Sequence, residues 1–570
     1  MNEWLILPKI LPKPNRYQIE LKNDKYFLCG NFQLKDYFYS EKEGTGIFVD
    51  GYILPELANP SLKCDAEFIL DEYKKNKINF IKNFKGHFTL IIIDRSDIYI
   101  FIDHFGVIKV FYSIVDSYFY ASNSIFTLIK YIDAKISIPN VLEYLLLNYF
   151  VTGKTIFKNI KYGLGGKYYK IDDKITENDY FSVNNFIDTE KYKKTNIDQS
   201  KKFWVDILKQ YAGYFGSHEL SMALTAGLDS RMILSGLRYL GLNPNTFTFG
   251  EKKSIDVTIA EKIANKLNLV HHHYYPDGIF FNTYSNLAKE TVITGNTLVS
   301  SYRTHRYDAY KKHKQFSNAI IWGFAGSEVI RGLYPDGLLI SDFIKFLWLN
   351  GNQNIKAYIE NFFKLHYINL EKKQSDELIE QIINYKFLNN PREYLFNIII
   401  PCHFSQDINL LHSLGIQCIC PYWDLNFLRF LNSQGVLISN DRKDDYARQG
   451  HFRRRFQPMF SSKIIAALDV KCSSITLGKG YTPKDYAFSS YYSGLKYFLY
   501  RQLNKKVVPN FSYGNWYHSF LCKYIEENNF DFLRLNKHKS LNDLKLVNAN
   551  DEYGFLFFTK LINLDIAKTF

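Results

Sequence analysis

Short runs of β-branched and aromatic residues, each closed by turn residues, fill the first third of the chain. KYFLCGNF, TGIFVDGYIL, HFTLIIID, IYIFID, KVFYSI and SYFYAS all precede residue 185. Each reads as a strand, and one segment over residues 66–84 has its apolar positions at helical spacing. Many strands with one helix predict stacked β-sheets. Residues 182–202 are polar and read as a connection leading into a surface helix. Beyond them the pattern changes to alternating strand-like and helix-like segments. ELSMALTAGLDSR (219–231) is an apolar run, a small-residue turn, and the start of the helical pattern MILSGLRYLGL. NTFTFG, the helical VTIAEKIANKLNL and then HHHYY follow. That order predicts a parallel α/β sheet, whose ligands sit at the carboxyl ends of its strands. The expected division is a β-rich unit over 1–185 and an α/β/α Rossmann-like unit over 186–570, and 570 residues are enough for both.

The turn in 219–231 carries candidate chemistry. Thr225, Ala226 and Gly227 let backbone N–H groups approach a ligand. The hydroxyls of Thr225 and Ser230 can donate, and a helix starting at Asp229-Ser230-Arg231 presents its positive end. This suits a phosphate, although it is not the Walker loop, which needs G-x-x-x-x-G-K-[ST]. A second small-residue corner lies in AIIWGFAGSEVIRGLY (319–334), where an apolar strand runs into Gly323, Ala325 and Gly326 before Glu328.

Composition changes this picture little. The net charge of +14 comes from scattered lysines, and the densest cluster, Arg453-Arg454-Arg455, is short, so no nucleic-acid partner is expected. The seven cysteines form neither a disulfide framework nor a C-x-x-C pair, and reduced cysteines in a cytoplasmic protein are expected. Cys29 and Cys418-Ile-Cys420 read as core. His271-His272-His273 fall in a strand, where neighbours point to opposite faces, so no shared metal site is expected there. The N-terminus lacks the order of a signal peptide, and no run approaches the roughly 18 apolar residues of a membrane span.

Several motifs, in order, resemble the asparagine synthetase family. T-A-G-L-D-S (225–230) is similar to its S-G-G-x-D-S pyrophosphate loop, and Phe247-Thr248-Phe249-Gly250 with Asp256 to its F-T-x-G…D-x-x-x-A adenine segment. Gly323, Ala325, Gly326, Glu328 and Gly332 keep the frame of L-S-G-[DE]-G-x-D-E-x-x-G-G-Y. Pro421-Tyr422-Trp423-Asp424 resembles P-F-L-D, and Lys479-Gly480-Tyr481 lies in a K-x-G-[FY]-like segment. Upstream, Phe48–Ile53, Asp65-Ala66-Glu67, Phe84–Phe88 and Ile102–Tyr112 resemble segments of class II glutamine amidotransferase domains.

The resemblance implies an N-terminal-nucleophile-type sandwich followed by a pyrophosphate-loop ATP-binding domain. It implies ATP and Mg²⁺ as cofactors, with a carboxylate activated as acyl-adenylate and an amide formed with ammonia or an amine. Small-molecule or peptide carboxylates and amines would be the substrates. Thr225, Ala226, Gly227, Asp229, Ser230, Phe249, Gly250, Gly323 and Gly326 would hold nucleotide. Asp229 would hold metal. Lys479 would contact phosphate, with Lys471 and Lys463 as alternatives, and Glu328 would be base or second carboxylate. Departures are specific. No cysteine precedes Cys29, Asp50-Gly51 replaces the glutamine-binding Asn-Gly, and Ile102 replaces an arginine, so glutaminase activity is expected to be lost. Phe324 replaces an acidic residue and Ser327 a metal-binding aspartate. The closing of an amide within one substrate, as in β-lactam synthetases and lasso-peptide cyclases, and a non-catalytic scaffold are the alternatives.

Overall fold

The structure is a computed structural model. It describes residues 3–11, 17, 19–31, 36–56, 65–172, 174–183, 196–216, 220–331, 333, 341–366, 368, 370–434, 458–503, 524 and 552–568. The expected boundary at 185/186, Gly332, Arg453–Arg455, Cys64 and Cys522 lie outside them.

The N-terminal part holds two six-stranded antiparallel sheets. One runs in the order Lys161–Tyr162, Phe111–Val115, Tyr118–Ser122, Trp4–Pro8, Tyr26–Gly30, Ile19–Lys22. The other runs Ile175–Asp179, Lys167–Ile171, Asp97–Ile102, Phe84–Asp94, Thr45–Pro55, Tyr37–Ser40. Trp4, Ile6 and Leu28 of the first meet Phe48, Ile91, Ile93 and Ile100 of the second in one buried cluster, so the sheets are stacked. All six sequence-predicted strands are present. At the centre of the second sheet, Thr45–Pro55 and Phe84–Asp94 pair over their full length. Gly51 (φ 110°) and Gly86 (φ 138°) are required there, because a Cβ on either would lie 2.2 Å from the carbonyl oxygen of His87 or Tyr52.

The segment at 66–84 differs from expectation. It is a helix over Ala66–Asn76 and then a separate 3-10 turn over Lys77–Asn83. Lys77 adopts φ 48°, which breaks the helical path while its N–H still closes onto Tyr73 O. Ile69, Leu70 and Tyr73 nonetheless pack on Ile47 and Val49, covering the outer face of the second sheet. Cys29 is buried in its strand, as its pattern predicts.

The C-terminal part is built on a five-stranded parallel sheet in the order His271–Tyr274, Asn245–Phe249, Leu220–Ala223, Ala319–Ile321, Gln417–Ile419. Helices Leu228–Tyr239 and Ile255–Leu267 join its first three strands. A helix over Glu552–Lys568 closes onto the molecule through Asn563, whose amide donates to Val299 O and accepts from Ser301 N.

Buried polar contacts tie the two parts together. Lys85 Nζ lies 2.5 Å from Asp424 Oδ2 with both side chains out of solvent, and Tyr211 Oη donates to the same oxygen at 2.8 Å. Trp423 Nε1 donates to His87 Nε2 at 2.8 Å, so the other ring nitrogen, Nδ1, carries the proton given to Cys418 O at 3.0 Å. Burial holds the His87 pKa down at about 4, consistent with that neutral tautomer. Asp50 Oδ1 is 2.7 Å from His412 Nε2 on the helix Ser405–Ser413.

The Asp50–His412 pair predicts a pH dependence. Burial works against the imidazolium, but Asp50 outweighs it and the His412 pKa is raised above 6.5. The pair's stabilisation is therefore complete below pH 6.5 and lost as pH rises through the raised value. Thermal melts from pH 6 to 9 should show a fall for the wild type that His412→Gln lacks; parallel curves would remove the pair from the stability balance.

Candidate active site at the carboxyl edge of the parallel sheet

Leu220–Ala223 is the central strand. The chain leaves it towards Asn245–Phe249 on one side, while Ala319–Ile321 lies on the other. Strand order reverses there, the position at which an open α/β sheet places its ligand.

The first loop, 224–227, is folded by its own hydroxyls. Thr225 N donates to Ser230 Oγ (3.2 Å) and Gly227 N to Thr225 Oγ1 (3.2 Å). Ala226 N donates to Asp256 Oδ1 at 3.0 Å. Asp256 opens the next helix and is mostly buried, and burial raises its pKa despite that hydrogen bond. The three N–H groups available to an anion are thus held by hydroxyls and one carboxylate. A phosphate would take over bonds already aimed at an oxygen. Gly227 caps the helix Leu228–Tyr239 without a side-chain bond, leaving that end to backbone groups.

The second loop closes directly on the first. A Cβ on Gly323 would lie 3.1 Å from Ser230 N, and one on Gly326 2.8 Å from Asp229 Cγ and Tyr422 Cε2. A Cβ at 326 would force its neighbours to shift, and one at 323 would be tight. Ser327, opening the short helix Gly326–Arg331, donates to Asp229 Oδ2 from both its N–H (3.1 Å) and its Oγ (2.8 Å). Tyr422 Oη donates to Asp229 O at 2.9 Å from beneath. Glu328 follows Ser327 on the same helix and is half-buried.

The remaining predicted residues frame this centre. The turn 477–481 is closed by Leu477 N on Tyr481 O at 2.7 Å. In it, a Cβ on Gly478 would fall 3.9 Å from Ala226 Cβ. Lys479, the next residue, is exposed. Lys471 is also exposed, six residues before the same turn, whereas Lys463 is half-buried. On the opposite side Phe249 faces Trp322 (ring centroids 6.1 Å) and carries the Arg306 guanidinium 5.4 Å from its ring centre. Gly250 (φ 127°) turns the chain away, its N–H on Tyr274 O and its carbonyl 3.0 Å from His273 Nε2. His272 instead stacks on Phe316.

Three partnerships here were not anticipated. Asp256 holds Ala226, Tyr422 holds Asp229, and Arg231, buried beside the loop, donates to Ile475 O (2.7 Å) and Thr476 O (2.8 Å). Arg231 thereby fastens the loop's helix to the segment bearing Lys479. Phe324, in place of an acidic residue, stacks on Trp322 at 4.3 Å and packs against Phe404. That side of the loop is apolar and built into the core.

The oxygen donors admit a hard cation on particular terms. Asp229 and the Ser327 hydroxyl share one hydrogen bond, and no group of three or more His, Cys, Asp or Glu residues is assembled among the described residues. One carboxylate with one hydroxyl does not make a protein cage, but it fits Mg²⁺ arriving with phosphate ligands.

The position resembling the glutamine-binding Asn-Gly is closed. Asp50 is buried and its Oδ2 accepts from Trp4 Nε1 at 2.7 Å and from Asn123 Nδ2 at 3.1 Å. The Trp4 indole lies on the carboxylate where a substrate amide would need access.

Residues 58–182 match the glutamine amidotransferase domain family. No curated protein matches the sequence. Among solved structures, glutamine phosphoribosylpyrophosphate amidotransferase from B. subtilis, complexed with ADP and GMP, is similar at 10% identity and TM-score 0.20, covering 44% of this chain and 51% of that one. The chain thus spans about half the length of that protein. NMN synthetase from Francisella tularensis aligns at 15% identity and TM-score 0.20, over 35% of this chain and 97% of that one. The allosteric regulatory enzyme of purine biosynthesis aligns at 9% identity and TM-score 0.22, over 48% and 74%. Superpositions this loose assign nothing to the C-terminal part. The family match rests on the stacked-sheet region, where residues 58–182 are similar to a glutamine amidotransferase domain.

Proposed function

We propose that the chain is an ATP-dependent ligase of asparagine-synthetase type whose N-terminal part no longer hydrolyses glutamine. The observation that carries this reading is the convergence of loop 224–227 and Gly323–Ser327 on Asp229 at the reversal of strand order.

In the proposed reaction a substrate carboxylate oxygen attacks the α-phosphorus of ATP. The bond to the bridging oxygen breaks, and pyrophosphate leaves from an acyl-adenylate. An amine nitrogen then attacks the acyl carbon, AMP departs with the electron pair, and the amine proton passes to a base. N–H groups of Thr225, Ala226 and Gly227 bind the leaving phosphates, and Lys479 offsets their charge from the turn beside Ala226. Asp229 and Ser327 Oγ would hold Mg²⁺, which when bound neutralises the pyrophosphate charge. Phe249 and Trp322 supply apolar rings for the adenine. Glu328, next to Ser327, is the base in this scheme.

The Trp4–Asp50 closure favours a nitrogen source other than glutamine. Free ammonia, a separate amine, or an amine within the same substrate are consistent with it, and the last would make the protein a cyclase. ATP–pyrophosphate exchange with Mg²⁺ and a panel of amino-acid and peptide carboxylates tests the ligase reading. Exchange with at least one carboxylate is the expected result, and ATP binding without any exchange would leave a scaffold. Glutamine offered to the full-length protein should yield no glutamate above background; measurable glutaminase turnover would overturn the N-terminal assignment.

A further inference from the structure

Helix Ser490–Leu503 is amphipathic the wrong way round. The side that packs on the protein is polar: Ser493 is buried, and Lys496 Nζ donates to Asp485 Oδ1 at 2.9 Å. Tyr500 on the same side lies against Gly480, whose Cβ would meet Tyr500 Cβ at 2.5 Å. Its large apolar side chains face solvent. Leu495 is 56% exposed, Phe498 58%, Leu499 51% and Leu503 84%, and Phe488 just before the helix is 86% exposed. Leu495, Leu499 and Leu503 are four residues apart and form one stripe. A helix that serves only its own fold turns such a stripe inward, and contiguous apolar exposure of this kind marks a binding surface.

We propose that this helix is a peripheral anchor that lays its Leu495–Leu499–Leu503 stripe, with Phe488 and Phe498, into the headgroup region of an anionic lipid bilayer. Charge selects this occupant. Lys471 and Lys484 are exposed on the segments leading into the helix, residues 470–503 carry five basic residues against one acidic, and the whole chain is at +14. Anionic lipid attracts such a basic segment, whereas an acyl boundary accepts the aliphatic stripe. Exposed Tyr491, Tyr492 and Tyr497 flank the stripe, and tyrosine favours the level of the headgroups. No helix among the described residues is long and apolar enough to cross a membrane, so the contact lies in the plane of the surface. The inference is independent of the nucleotide reading.

The test is co-sedimentation of the full-length protein with vesicles of phosphatidylcholine alone and with vesicles that also contain phosphatidylglycerol. Binding to the second and not the first is expected. It should weaken about tenfold or more on raising the salt and in the variant Leu495→Ser/Phe498→Ser/Leu499→Ser/Leu503→Ser, and should be reduced in Lys484→Glu. A melting temperature near the wild-type value is the control for the quadruple variant. Phe498→Trp gives a readout that does not require tolerance of four changes: its emission should shift to the blue on adding anionic vesicles. Unchanged emission, equal binding to both vesicle types, or binding that survives loss of the stripe overturns the proposal. So does a wild-type dimer that the quadruple variant dissociates, which would assign the face to a second copy of the chain.

Discussion

Replacing Asp229 by alanine is expected to lower ATP–pyrophosphate exchange by about 10²- to 10³-fold or more, the scale for removing one preorganised charge-stabilising group from an active site. Two consequences of the change combine. The Ser327 N–H and Oγ lose their shared acceptor, so the junction of the two loops relaxes. The carboxylate that accepts from the Ser327 hydroxyl is also removed. Asp229→Asn separates these effects, because its amide oxygen still accepts from Ser327 while the charge is gone. If charge towards a metal–nucleotide complex is the important part, Asn is nearly as damaging as Ala, and Mn²⁺ binding in the presence of a non-hydrolysable ATP analogue falls in both. Exchange by Asp229→Asn within about tenfold of wild type would reduce Asp229 to a positioning group. Ser327→Asp is the converse: a second carboxylate beside the first should raise Mn²⁺ affinity without nucleotide, read by calorimetry.

The second large effect lies away from the nucleotide site. Lys85→Met should destabilise the protein by about 3–5 kcal/mol, because it strands the Asp424 carboxylate in the interior. Asp424 also caps the helix Leu425–Ser433 through Asn426 N (2.9 Å) and Phe427 N (3.2 Å), and accepts from Tyr211. It cannot turn to water without uncapping that helix. In a chain of this length the readouts are a lowered melting temperature and faster cleavage between the N-terminal sheets and the parallel sheet, since a two-state free energy is ill-defined. The double variant Lys85→Met/Asp424→Asn keeps the cap through Oδ1, reverses the Tyr211 contact so that the amide Nδ2 donates to the phenol oxygen, and removes the stranded charge. It should recover a large part of the loss, and a double variant as unstable as the sum of the singles would show that the pair's charge is not what matters.

The sheets were legible from sequence wherever a strand is buried, since alternation and β-branching are local properties. Thr45–Pro55 and Phe84–Asp94 declare themselves this way. Ile175–Asp179, a largely exposed edge strand with the sequence ITEND, does not, and Trp4–Pro8 is short and ends in proline. A helix over 66–84 was expected as one element because its apolar spacing continues past Asn76; the backbone of Lys77 divides it. At the candidate site the small-residue corners, Asp229 and the glycines at 323 and 326 were legible, because a loop that backbone must approach closely needs those residue types in a short span. Three partnerships were decided by tertiary structure alone: Asp256 with Ala226, Ser327 with Asp229, and Tyr422 with Asp229. They join residues 30, 98 and 193 positions apart. Which distant loops meet depends on the order of strands in the sheet, and strand order is set by packing that no local pattern encodes. The same holds for Trp4 on Asp50. The sequence by itself determined that the asparagine is replaced, while only the stacked sheets brought an indole onto the aspartate in its place.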